Sequence, residues 1–448
     1  MMARNFATLE QPPTRWERVF FVVAMSMYNA VPFLVGDQGQ GAEALNPVKT
    51  LSTMSTQGDA IKQLMLMGIY FVCVLVLIRT TRLRTWSFLG LPLIVLSGWG
   101  MMSMLWSFDP SVTLRRSIAM LGTVAFGTYI GLRFDIPTML RLMSWVTAIT
   151  LVSSIVVAFV WPNLGLDFEG RLRGVTAHKN AISGFASIVF LMLVFQLTNL
   201  KQNNWLILLW ITGLATLCIV CMVWSESAAA VPVLLIGLPL VPIANTLRKA
   251  DRSVTAIIPL LIGLCALLLL VLVYNIDSIT EMLGKDTDMS GRTSVWAYAI
   301  KMFFEQFWLG YGYGTFWEGY NSPGGAFWSI TGIGAPHSHN GYIELALDTG
   351  VIGLGLFAWA LFLLVYRLAW LIRYSNDRVI SWSVAYLGLF LVTNLSETRL
   401  WVNNSPFTVF FVYIVIVTNL EVWRLLCRNQ PRDRAYTTYG AHQLEVVQ

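Results

Sequence analysis

Only four histidines occur in 448 residues, and two of them, His337 and His339, stand one residue apart in APHSHNGYIELALDTGVIGLGL (335–356), where a polar stretch turns glycine-rich and apolar. An imidazole near its reference pKa of about 6.5 can take a proton from a hydroxyl. Asn340, Glu344 and Asp348 follow at spacings of four, which places them on one face of a helix, with His339 just before its first turn. This pattern suits a general base or an orienting group. Two histidines beside paired carboxylates could also ligate a metal, although H-x-H alone is a weak metal signature.

Cations supply the second kind of chemistry. GRLRGVTAHKN (170–180) crowds Arg171, Arg173, His178 and Lys179 into one short segment. Guanidinium forks fit the oxygens of a phosphate or diphosphate, and they also fit lipid phosphates as simple anchors. SGRTSVW (290–296) puts Arg292 at the start of a helix, where the dipole adds positive potential, with Trp296 one turn on. Arg292 could instead pair with Asp286 or Asp288. In WLGYGYGTFWEGYNSPGGAFW (308–328), Tyr313 and seven other aromatics are interleaved with glycines. Such rings suit sugar faces or a membrane-interface belt. WSFDP (106–110) followed by Arg115 and Arg116, SES (225–227) and NLSETRLWVNN (394–404), with Glu397 and Arg399, read mainly as helix caps and local ion pairs.

The elements that must position these groups are membrane helices. The chain is 56% hydrophobic and 12% charged, with a mean hydropathy of +0.64, whereas a soluble domain carries roughly a quarter charged residues. Apolar runs recur at about 19–36, 64–78, 88–106, 117–132, 142–161, 181–198, 205–224, 228–247, 254–274, 341–366, 380–393 and 406–423. Backbone groups in lipid must pair internally, and no short alternating segments of a barrel occur. The expected fold is an all-α integral membrane protein of about twelve transmembrane helices. The first run is followed by Asp37 and Gln38 rather than a cleavage site, so it is expected to remain a membrane helix. Cys218 and Cys221 lie in an apolar run and read as packing residues.

With a cytoplasmic amino terminus, the inner segments hold 19 of the 30 basic residues but only 8 of the 24 acidic ones. That asymmetry satisfies the positive-inside rule with both termini cytoplasmic. The net charge of +6 is then a product of topology, and nothing points to nucleic acid. Helices one to nine occupy 1–274, a long outer loop 275–340, helices ten to twelve 341–424, and a cytoplasmic tail 425–448. Within the loop, 293–308 reads as an amphipathic helix lying on the membrane surface. A secondary transporter is the competing class, but the polar residues gather in outer loops rather than at midplane.

At these residues the sequence resembles the O-antigen ligases and Wzy-type polysaccharide polymerases, most nearly the ExoQ-like exopolysaccharide polymerases. His339-Asn340, nine residues, Gly350, two residues and Gly353 is similar to the ligase pattern, whereas His337-Ser338 would put Asp348 at the glycine position. RGVTAHKN (173–180) resembles the RG-x-x-x-HKN segment of the exopolysaccharide branch, and GRTSVW (291–296) the GR-x-x-x-W ahead of an outer helix. The likeness is best from about 165 to 355. It implies a GT-C-type glycosyltransferase of a bacterial inner membrane, working at the periplasmic face without a metal or other cofactor. The implied donor is an undecaprenyl-diphosphate-linked glycan and the acceptor another glycan or lipid-linked glycan, with chain-length regulators or flippases as candidate protein partners. The likeness puts His339 at the acceptor hydroxyl and Arg292 with Arg173, or Arg171, at the diphosphate. Around them His178, Lys179, His337, Asn340, Glu344, Trp296, Tyr313 and Arg399 are expected to contact substrate. The HKN segment favours polymerase over lipid A-core ligase.

Overall fold

Residues 12–29, 60–80, 83–176, 178–198, 204–227, 237–240, 242–243, 292–332, 334–375 and 379–428 are described in the computed structural model of this chain. The expected helix at 254–274, most of the one at 228–247, the carboxylates Asp286 and Asp288, and the tail beyond 428 lie outside them.

Among the described residues the secondary structure is helical apart from one isolated antiparallel bridge, Leu166 to Leu172. The helices are α1 (Arg15–Asn29), α2 (Ala60–Thr80), α3 (Leu83–Met102), α4 (Pro110–Arg133), α5 (Ile136–Val160), α6 (Lys179–Thr198), α7 (Trp205–Trp224), α8 (Arg292–Glu305), α9 (Pro323–Thr331), α10 (Gly341–Tyr374), α11 (Val379–Thr393) and α12 (Pro406–Arg428). Among the described residues, six stretches are long and apolar enough to cross a membrane: Lys62–Arg79, Ile136–Val160, Lys179–Thr198, Trp205–Trp224, Gly341–Tyr374 and Pro406–Cys427. The protein is therefore a multi-pass, all-helical membrane protein.

The centre of the bundle is α4 against α12. Hydropathy alone underrates α4, because it carries small residues where neighbours press on its backbone. A Cβ on Gly127 would lie 2.7 Å from Val412 Cβ, and one on Gly131 2.8 Å from Ile416 Cβ. Gly127 and Gly131 thus act as a small-x-x-x-small contact, the usual way membrane helices approach closely without a hydrophobic driving force. The start of α4 follows from WSFDP: Asp109 accepts from the backbone N–H groups of Ser111 and Val112, and Pro110 occupies the first turn.

Gly350 breaks α10. Its φ of 66° and ψ of −171° interrupt the helix, and a Cβ there would lie 2.2 Å from the Trp308 carbonyl oxygen. The segment 307–312 repairs the break. Tyr311 N–H donates to Leu347 O at 2.8 Å and Gly312 N–H to Asp348 O at 3.1 Å. Val351 N–H donates to Phe307 O at 2.8 Å, and the Trp99 indole N–H to Thr349 O at 3.0 Å. Every one of these partners replaces a helical hydrogen bond that lipid could not supply. The long loop is thereby bolted to α10 at the kink.

That loop has its own core. Val295, Ala299, Phe316, Trp317, Phe327, Trp328, Ala335 and Leu347 pack together, separately from the main bundle. Polar edges of the aromatics are spent on backbone: Tyr298 Oη donates to Pro323 O at 2.7 Å, Tyr311 Oη to Met302 O at 3.0 Å and Trp328 Nε1 to Ala335 O at 2.9 Å. Phe316, Trp317, Phe327 and Trp328 are buried. Most of the aromatic run is thus neither sugar platform nor interface belt; it is what makes 292–335 a folded cap. Ile300, Phe304 and Trp308, one turn apart in succession, are exposed on α8 and its end.

Candidate functional site

The short loop 394–399 joins the three elements that carry the sequence motifs. Asn394 Oδ1 accepts from the Arg399 N–H at 2.9 Å, and its own carbonyl accepts from Gly341 N–H at 2.8 Å, the first residue of α10. Asn340 caps α10 through Oδ1, which accepts from Tyr342 and Ile343 N–H, while its Nδ2 donates to Leu395 O at 3.2 Å. Gly341 is required by closeness, since a Cβ would lie 2.1 Å from Asn394 Oδ1. Arg292, opening α8, donates to Ser396 O at 3.0 Å and faces Glu397 at 3.5 Å. Asn180, in the first turn of α6, donates to the same Glu397 oxygen at 3.0 Å, and its carbonyl accepts from Arg399 at 2.9 Å. The amino termini of α6, α8 and α10 therefore meet on one loop. Three N-terminal dipoles and the Arg292 and Arg399 guanidinium groups concentrate positive potential at this end of the bundle, with Glu397 among them.

His337 and His339 sit in the turn before α10, with ring centroids 4.2 Å apart. The His339 N–H donates to His337 Nδ1 at 3.2 Å, which leaves the proton of neutral His337 on Nε2. His339 has a φ of 53°, a left-handed backbone that costs a non-glycine residue roughly 1–2 kcal/mol. Three bonds hold that strained turn. Trp296 Nε1 donates to Ser338 O at 2.8 Å, Ser338 N–H to Glu344 Oε2 at 2.8 Å, and Ser338 Oγ to Asn340 O at 2.8 Å. Trp317 Nε1 also reaches Glu344 Oε2, at 3.2 Å. Among the described residues, His339 Nδ1 is buried with no hydrogen-bond partner. One ring nitrogen is thus left unpaired at a residue with strained backbone.

Burial, together with the cations Arg399, His178 and Arg292, pushes the His337 imidazolium down to about 4. Burial, then His337, Arg292 and His178, push His339 down to about 2. Both rings are neutral at physiological pH. Burial also lowers the Arg399 guanidinium, opposed by Glu397; it stays charged and stacks 4.1 Å over the Phe407 ring.

The GRLRG pair separates. Arg171 is engaged by Asp167 at 2.8 Å and by Glu169, closing its own turn. Arg173 donates through Nε to Leu164 O at 2.9 Å and, among the described residues, forms no ion pair. Its neighbour Gly174 has a φ of 60°, and a Cβ there would lie 2.3 Å from Ser154 Cβ, so the loop presses against α5. His178 is exposed, its Nδ1 accepting from Asn180 N–H at 3.2 Å, and Lys179 opens α6.

The structure thus gathers Arg292, His337, His339, Asn340, Arg399 and the His178–Asn180 turn, with Trp296 and Glu344 bracing the histidine turn. Tyr313 stands apart from them. It is 4% exposed, and its hydroxyl donates to Trp401 O at 2.9 Å and accepts from Asn403 N–H at 3.2 Å, a packing role in the bundle. Glu397, Asn180 and Asn394 were missed as site residues by sequence reasoning. Asn180 was visible as the last residue of HKN, whereas Glu397 and Asn394 become meaningful only when their loop meets three helix ends. Among the described residues, no three His, Cys, Asp or Glu side chains cluster as metal ligands.

Fold and site together define a multi-pass helical membrane protein with a cationic, histidine-bearing site at the loop end of its bundle. Residues 213–358, which include Arg292, His337, His339 and Gly350, match the family model described as O-Antigen ligase. The chain is also 30% identical over 258 residues to the exopolysaccharide production protein ExoQ of Rhizobium meliloti (strain 1021), a match covering 56% of this chain and 58% of that protein. The chain thus aligns with little more than half the length of that relative. Its likeness to the O-antigen ligase and ExoQ-like family is shown over these segments.

Proposed function

We propose that the protein is a membrane glycosyltransferase that joins polyprenyl-diphosphate-linked glycan units at the outer face of a bacterial inner membrane, as an exopolysaccharide polymerase. The observation that carries this reading is the meeting of Arg292, Arg399, Asn180 and the His337–His339 turn on loop 394–399. Such a site matches a diphosphate leaving group next to a sugar hydroxyl. The exposed stripe Ile300, Phe304 and Trp308 fits α8 lying against the membrane surface, where a lipid-linked donor presents its diphosphate.

In this reaction an acceptor hydroxyl attacks the anomeric carbon with inversion. The bond from that carbon to the diphosphate oxygen breaks, and the leaving group departs with the electron pair. Arg292 and Arg173 stabilise its growing charge, while the hydroxyl hydrogen-bonds to His339. Burial and nearby positive groups hold the His339 imidazolium well below its ordinary range; a bound diphosphate among Arg292, Arg399 and His178 adds negative charge that raises both imidazoles toward that range. Arginine electrostatics should still supply the larger share of the acceleration.

The test is turnover by the reconstituted protein of a defined polyprenyl-diphosphate oligosaccharide, with products resolved by length. Lengthened polyprenyl-linked chains support a polymerase. Glycan appearing on an added lipid A-core acceptor supports a ligase, the second reading, which the O-Antigen ligase description of the matching family model favours. Uptake of substrate into proteoliposomes with no change in glycan length would overturn both.

A further inference from the structure

A cavity apart from the histidine cluster lies between α2 and α4 and has a volume of about 460 Å³. That size falls within the roughly 300–1,000 Å³ of small-ligand sites. One wall is Gln63, Leu66, Met67 and Tyr70, which share a single face of α2. The other is the α4 face from Ser111 through Leu114 and Arg115 to Ile118 and Ala119, and Asn403 and Asn404 complete the lining. Met67 is 58% exposed and Ile118 48%, so the apolar rim opens to the surroundings, which for these helices means lipid.

The polar residues of this cavity are unequal. Arg116 also lines it, but its guanidinium is taken by Glu318 at 2.6 Å and by the Gly314 carbonyl. Asn404 is tied to the Tyr70 hydroxyl through Oδ1 and to Thr123 Oγ1 through its N–H. Arg115, in contrast, is exposed and among the described residues forms no ion pair within 4 Å; its field reaches Asp109, whose carboxylate is already engaged in capping α4. One uncommitted guanidinium beside asparagine amides, over an apolar trough that opens sideways, has the shape and charge of a receptor for an anionic amphiphile. A free anion would leave the apolar wall unused, and a zwitterionic lipid such as phosphatidylcholine would bring its own cation beside the arginine and weaken the pairing.

We propose that the α2–α4 groove binds a phosphate-bearing anionic membrane lipid, with its head on Arg115 and its chain along Leu66, Met67, Leu114 and Ile118. Asn403 N–H donates to Tyr313 Oη, and Arg399 lies four residues upstream in the same connection. The proposal concerns binding alone and does not depend on the transfer reaction proposed above.

The experiment is native mass spectrometry of the full chain, delipidated in detergent and offered phosphatidylglycerol, a polyprenyl phosphate or phosphatidylcholine separately. The wild type should retain one or both anionic lipids roughly tenfold better than phosphatidylcholine, the scale of one charge-assisted hydrogen bond. Whichever anionic lipid is held more tightly identifies the source. Arg115→Ala should bring anionic retention down to the phosphatidylcholine level. Met67→Trp fills the trough from an exposed position, so it should leave the melting temperature unchanged and abolish retention of all three. Ile149→Trp, at an exposed position on α5, should change nothing. Equal retention of phosphatidylcholine and anionic lipids by the wild type, retention unaffected by Met67→Trp, or full displacement of bound lipid by inorganic diphosphate would each overturn the proposal.

Discussion

His339 carries strain, a partnerless buried nitrogen and a neutral ring, and each has a separate cause. The strain comes from Trp296 and Glu344 gripping Ser338. The unpaired nitrogen is buried with no donor or acceptor in reach among the described residues. Neutrality comes from burial first and from His337, Arg292 and His178 second. Arg292→Ala is expected to cost at least as much turnover as His339→Ala, roughly 100–1,000-fold for a lost electrostatic stabiliser; wild-type turnover in both variants would reject the site. Arg173→Ala should lower kcat by a comparable factor, whereas Arg171→Ala should mainly lower the melting temperature, because Arg171 already serves Asp167 and Glu169. The pH dependence has a definite sign. Unfolded histidines take up protons below about 6.5, whereas folded His337 does so only near 4, so protons favour the unfolded chain. Stability present above pH 6.5 is lost as pH falls toward 4, by at most about 1.4 kcal/mol per pH unit for each histidine. His337→Asn should flatten that part of a melting-temperature profile.

Among the elements, α10 has the most demanding geometry. Its amino terminus, held by Asn340 and Asn394, carries the histidine turn, and its break at Gly350 receives the loop backbone. Gly350→Ala combines a positive φ with a collision against the Trp308 carbonyl. Gly332 has a φ of 71° and open space around it, so Gly332→Ala adds only conformational strain of about 1 kcal/mol. The first variant should lower the melting temperature several times more than the second. If the two shifts were equal, backbone conformation alone would explain Gly350. On α4, Gly131→Leu should be as damaging, because Ile416 already occupies the space.

On the scale of the whole molecule the described residues form two cores, the bundle and the cap built from α8, α9 and the aromatic loop. Trp328 is 2% exposed in the cap, and removing a buried tryptophan side chain costs about 3–5 kcal/mol. Trp328→Ala should therefore open 306–335 to limited proteolysis while the bundle helices remain protected. Because the cap supplies both Trp296 and Arg292 to the site, turnover should fall together with protease resistance. Cleavage spread evenly over bundle and cap would show that the two cores unfold as one.

Hydropathy was enough to define the membrane class and most helix positions, because a lipid-crossing helix needs a long apolar run whatever it packs against. The expected runs at 142–161, 181–198, 205–224 and 406–423 correspond to α5, α6, α7 and α12, and the expected runs at 228–247 and 254–274 fall largely or wholly outside the described residues. His339, Arg292 and the HKN turn could be singled out in the sequence because scarce polar residues at the ends of apolar runs have few structural uses, and the packed bundle brings them to one loop. Short-range rules could not choose between Arg171 and Arg173, foresee that the aromatic run forms a core, or connect Asn180 with Glu397. The last of these depends on a contact between residues 217 positions apart, which only the packed bundle brings within hydrogen-bonding distance; the aromatic core forms within 295–347, and the Arg171 pairing closes within its own turn.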